Sequence, residues 1–170
     1  MGSSADLRSA IDWPRAALLV LLGWWTARIV LGTDWLFLDL VNLAFHEAGH
    51  LFFGFAGSTV HYLGGTLGQL IVPGGLVAYF LVRRRQPFAA AFCLWWAGES
   101  LANVSVYMAD ARELALPLVG GGDHDWNELF FRCGMLTEPA VARISGLTRL
   151  AAVGVMLSAL GWGSALAFNR

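Results

Sequence analysis

Apolar runs about as long as a bilayer is thick take up most of this chain, and they constrain its fold more than anything else in it. A membrane-crossing helix needs about 20 apolar residues, because the hydrocarbon core is about 30 Å thick and a helix rises about 1.5 Å per residue. Four or five segments of the 170-residue sequence qualify: Ala16–Gly32, Leu36–Phe55, His61–Val82, Phe88–Ala109 and Leu147–Phe168. With 57% hydrophobic residues, 14% charged residues and a mean hydropathy of +0.60, the chain suits lipid better than water. The expectation is an all-α polytopic transmembrane helical bundle of four or five spans, forming one integral membrane domain over residues 1–170.

The third run is the irregular one. Gly64, Gly65, Gly68, Pro73, Gly74 and Gly75 interrupt it, so a re-entrant segment is the alternative to a full span. Arginine placement does not choose between them. With five spans, Arg83, Arg84 and Arg85 lie across the membrane from Arg8 and Arg15, whereas a re-entrant third segment puts both clusters on one side. The start, Met1 to Pro14, lacks the pattern of a secretory signal, so the first run is expected to be retained. Residues 110–146 form the one polar-leaning section. It carries a glycine run at 120–122 and an amphipathic piece, Trp126–Met135, expected at the membrane surface. A net charge of −1 gives no basic field for nucleic acid, and Cys93 and Cys133, in unlike settings, read as free thiols.

Chemistry concentrates in the second run, which contains His46-Glu47-Ala48-Gly49-His50. Residues four apart share a helix face, so His46 and His50 point the same way, close enough to hold one divalent ion. Glu47 is turned by about 100°, beside such an ion, where a carboxylate takes a proton from an activated water. By the same rise per residue these groups lie near mid-bilayer, where ionisable side chains are rare and usually functional. Two helix-borne imidazoles favour zinc over iron or manganese. Asp39 and Asn42 continue the histidine stripe at spacings of three and four, and either is placed to orient a ligand ring.

A catalytic zinc takes three protein ligands and keeps one position open. His124 is the first choice for the third ligand, since imidazole is the commonest metal ligand, followed by Asp110 and then Glu99. Glu99 and Asn103 share a face of the fourth run, and an interhelical polar contact explains them equally well. Asp125 is placed either to brace His124 or to accept a hydrogen bond elsewhere. His61, without an acidic neighbour, is not expected to ligate.

On this motif the chain resembles the site-2-type intramembrane zinc metalloproteases, which cut helices within the bilayer. It is also similar to small bacterial membrane proteins that combine the motif with Leu63-Gly64-Gly65-Thr66-Leu67-Gly68-Gln69, Tyr107-Met108-Ala109-Asp110-Ala111-Arg112, Leu116-Pro117-Leu118 and His124-Asp125-Trp126. That likeness spans roughly Phe45 to Phe131. It implies a bacterial cytoplasmic membrane, a site of His46, Glu47 and His50 with Asp110 and His124-Asp125 as members, and a membrane-embedded peptide or lipid as substrate. The later Asn-Pro and Leu-Asp-Gly motifs of the proteases, and their PDZ-like domain, are missing. Metal binding therefore transfers more firmly than peptide cleavage. A lipid amide or ester hydrolase with the same centre, and a non-catalytic protein with a structural metal, are the competing expectations.

Overall fold

The computed structural model describes residues 12–32, 37–118 and 123–168; residues 1–11 and 33–36 and the glycine run 120–122 lie outside the described residues. All elements among the described residues are helical: α1 (Trp13–Val30), α2 (Phe37–Phe53), α3 (Ser58–Ala78), α4 (Pro87–Ala109), α5 (Asp125–Arg132) and α6 (Glu138–Phe168). A 3-10 turn, Gly54–Ala56, follows α2, and a π-helical turn, Tyr79–Arg83, continues α3.

The boundaries follow local chemistry. Asp12 caps α1 by accepting from the Arg15 amide, and Pro14 and Pro87 sit in the first turns of α1 and α4, where a missing N–H costs nothing. The reversal between α2 and α3 turns on Gly57, whose φ of 97° suits glycine. Against the expected interruption, α3 runs unbroken through Gly64, Gly65, Gly68 and Pro73. Its glycines thin the helix instead. A Cβ on Gly49 would overlap the Gly64 carbonyl oxygen, and one on Gly68 would overlap that of Phe45, so α2 and α3 touch backbone to backbone.

Helix α4 is the hub. It packs along α6 and also meets α1, α2 and α3. Leu22, Trp95, Trp96, Ala102, Ala152, Met156 and Ala159 form the main core, with Gly98 letting α6 approach at Met156. The indoles of this core are paired: Trp95 Nε1 donates to Thr26 Oγ1 at 2.8 Å and Trp96 Nε1 to Asn42 Oδ1 at 2.8 Å. A second cluster of Val104, Met108, Ala111, Phe130 and Val141 seats α5 against the ends of α4 and α6.

The outside is apolar. Val20, Leu51, Phe52, Val82 and Leu150 are 70–87% exposed, an unfavourable surface in water and an ordinary one in lipid. Two helices, Ser58–Arg83 with its π-helical turn and Glu138–Phe168, are long and apolar enough to cross a membrane.

Candidate metal centre

Helix α2 presents His46 and His50 on one face, their rings 4.8 Å apart between centroids. The third member comes from α5. Asp125 Oδ2 lies 2.9 Å from His46 Nε2 and 3.2 Å from His50 Nε2, and the three side chains form a group able to hold a metal ion. Asp125 is the first residue of α5, where the positive end of the helix dipole favours a carboxylate.

Hydrogen bonding decides which ring atom of His50 is available. His50 Nδ1 is 2.8 Å from the carbonyl oxygen of His61, which only accepts, so Nδ1 carries the proton. A neutral ring with its proton on Nδ1 turns a bare Nε2 lone pair towards the Asp125 carboxylate. Two acceptors 3.2 Å apart repel unless a proton or a cation stands between them. Tetrahedral zinc with ligands at about 2.0–2.1 Å sets donor atoms about 3.3 Å apart, close to the 3.2 Å between His50 Nε2 and Asp125 Oδ2. The donor set, the His50 tautomer and the spacing fit a metal ion.

Helix α3 makes room for it. A Cβ on Gly65 would overlap His46 Nε2 and stand 2.6 Å from His50 Nε2. Glycine at this position keeps the face of the pair clear. The cluster lies in the wall of a cavity of about 450 Å³, also lined by Glu47, His61, Tyr107, Asn103 and Asp123 and by the apolar Leu43, Val106, Leu116, Pro117 and Leu118. Glu47 makes no hydrogen bond among the described residues, so its carboxylate is available to the cavity.

His124 and Asp110 come together with each other, beside the cluster. His124 Nδ1 accepts the Asn127 amide at 3.2 Å and caps α5, so the ring proton is on Nε2. That atom is 3.4 Å from Asp110 Oδ2 but is poorly aimed, and it is a buried polar atom without a hydrogen bond. Burial holds the His124 imidazole below its ordinary pKa, with Asp110 pushing the other way. The Asp110 carboxylate also accepts the amides of Ala115 and Leu116, which folds the chain after α4. The pair thus shapes the segment that delivers Asp125.

The polar stripes of α2 and α4 meet each other. Asn42 Nδ2 donates to Glu99 Oε2 at 2.8 Å and Asn103 Nδ2 to Asp39 Oδ1 at 2.7 Å. These contacts brace the helix that carries the histidine pair. The group that orients a ligand ring is the backbone carbonyl of His61, which carries no sequence signature. From the sequence Asp125 is expected to brace His124 or to accept a hydrogen bond elsewhere, and the resemblance counts it a site member; the structure sets it against His46 and His50 instead.

Helix α5 is fastened over the site by Trp126 Nε1 donating to Thr66 Oγ1, by Arg132 donating to Ser58 Oγ, and by Tyr62 donating to Asp123 just before the helix. Compared with family models, curated proteins and solved structures, the chain matches none.

Proposed function

We propose that the chain is an integral membrane zinc hydrolase, and specifically a metallopeptidase acting on a membrane-embedded segment. The observation that carries this reading is the convergence of His46, His50 and Asp125 on the wall of a cavity that Glu47 also lines. Three protein donors facing an open cavity suit a catalytic site better than a closed structural one. The two long apolar helices and the apolar exterior support a bundle embedded in lipid, with α1, α2 and α4 joining α3 and α6 as spans.

His46 and His50 would hold the ion through Nε2 and Asp125 through Oδ2, the His61 carbonyl keeping the His50 ring in the right tautomer. A zinc ion bound there supplies Lewis acidity, polarising a carbonyl and acidifying a water. Glu47 takes the proton of the attacking water and passes it to the leaving amine. Leu43, Val106, Leu116, Pro117 and Leu118 hold an apolar substrate and limit bulk water.

That apolar wall also favours a second reading, hydrolysis of a lipid amide or ester, because it suits an acyl chain as well as a peptide. Purified protein incubated with labelled transmembrane peptides and labelled lipids separates the two. The decisive variant is Glu47→Gln, expected to keep one zinc per chain and lose turnover. Turnover unchanged in that variant would remove Glu47 from the mechanism, and a wild-type protein that binds no zinc would end the hydrolase reading.

A further inference from the structure

Peptide-bond hydrolysis places a negative charge where none of the carboxylates around this centre can help. Attack by water forms a carbon–oxygen bond while the carbonyl π pair moves onto the carbonyl oxygen. The water proton goes to Glu47, then to the amine nitrogen as the carbon–nitrogen bond breaks. The carbonyl oxygen needs a hydrogen-bond donor at the moment it becomes anionic. Asp39, Glu47, Asp123 and Asp125 line the cavity, and ionised carboxylates only accept. Asn103 and Gln69 each have one of two amide N–H groups committed, to Asp39 and to the Ser100 carbonyl. The Tyr62 hydroxyl donates to Asp123.

Tyr107 is different. Its phenolic oxygen accepts the backbone N–H of Asp125 at 3.2 Å, which fixes the hydroxyl beside the ligand-bearing end of α5. Its ring stands between His46, 5.7 Å away between centroids, and His124, 4.1 Å away, so the side chain has little freedom to swing. It lines the cavity, and among the described residues its hydrogen has no acceptor. A hydroxyl already accepting one hydrogen bond is a better donor for the next.

Resting on the hydrolase reading above, we propose that Tyr107 is a catalytic residue whose hydroxyl donates a hydrogen bond to the oxyanion formed from the substrate carbonyl. Its role differs from that of Glu47: Tyr107 stabilises charge and keeps its proton, while Glu47 moves one. The His61 ring, on the His50 side of the centre, and the second amide N–H of Asn103 and of Gln69 are the other lining groups able to donate.

The test uses binding, so it does not depend on knowing the natural substrate. The full chain, zinc-loaded in detergent micelles, is titrated with a dipeptide phosphinate, whose tetrahedral anionic oxygens imitate the oxyanion. Wild type and Tyr107→Phe are compared, with the zinc dissociation constant of each measured by chelator competition. The expected result is a phosphinate Kd raised at least about tenfold in Tyr107→Phe, with the zinc Kd within about threefold of wild type. Equal phosphinate affinity in the two proteins overturns the proposal and leaves the His61 ring or a second amide N–H of Asn103 or Gln69 as the donor. Absence of phosphinate binding to the zinc-loaded wild type also overturns it. A weaker zinc site in Tyr107→Phe, with phosphinate binding restored by excess zinc, overturns it in favour of a role in positioning Asp125. Failure of wild type to take up zinc is a separate outcome that sinks the metal reading beneath it.

Discussion

Gly65 and His46 occupy space that only a residue without a side chain lets them share. A Cβ on Gly65 would overlap the imidazole Nε2 and lie 2.5 Å from its Cε1. The backbone of α3 therefore forms one wall of the candidate metal centre, and the two helices are matched at this level rather than merely adjacent. The glycines at 49, 64 and 68 bring α3 in; the one at 65 leaves the ligand atoms uncovered once it arrives.

Gly65→Ala is expected to push the histidine rings out of register and weaken zinc binding by about 10–100-fold, the range seen when a ligand's support is disturbed. Chelator competition on the purified variant measures it. An unchanged zinc affinity would mean that the rings do not bind the ion in the orientation seen here.

The close approach of α2 and α3 has its own test. Gly49→Ala and Gly68→Ala each drive a methyl group into backbone and are expected to destabilise by about 1–3 kcal/mol or more. At Gly74 and Gly75 a Cβ meets nothing within 4 Å, so alanine there is expected to be neutral, or stabilising by up to about 1 kcal/mol through helix propensity. Thermal unfolding in one detergent compares the four, and similar losses at all of them would contradict the backbone contact.

Asp125 and His124, neighbours in the chain, are expected to respond differently. Asp125→Ala removes a donor and should weaken zinc binding by more than the roughly 100-fold limit of a supporting residue. His124→Ala should leave the stoichiometry at one zinc per chain while costing about 0.5–2 kcal/mol of stability through the lost helix cap, and His124→Asn, which restores a capping oxygen, should recover part of that. Loss of zinc from His124→Asn, with Asp125→Ala still loaded, would return the ligand role to His124.

Since α2 and α5 each contribute donors, zinc should clamp α5 onto the bundle. Amide hydrogen exchange in Asp125–Arg132 is expected to slow on adding zinc to chelator-treated protein, with little change in the core of α6. Equal exchange in both states would show that the ion does not bridge these helices.

Much of this architecture was legible in one dimension. Apolar runs of bilayer length marked the long helices to within a few residues, except that α6 begins at Glu138, a stretch too polar at its start to look like part of a span. The four-residue spacing of His46 and His50 fixed their common face before any fold was known, because helical periodicity is a local property. The Asp39–Asn42 and Glu99–Asn103 stripes were likewise visible as stripes. What lay beyond local rules was partnership. Whether a polar side chain ligates, caps or braces depends on which helix face is brought opposite it. The segment 123–125 shows this most clearly: starting α5 one residue after His124 makes that imidazole a cap and turns the next side chain onto the histidines. The glycines of α3 make the same point. Along the chain they look like helix breakers, yet packed against α2 they become the surface that lets two backbones meet, since the cost of a glycine in a helix is small beside the contact it permits.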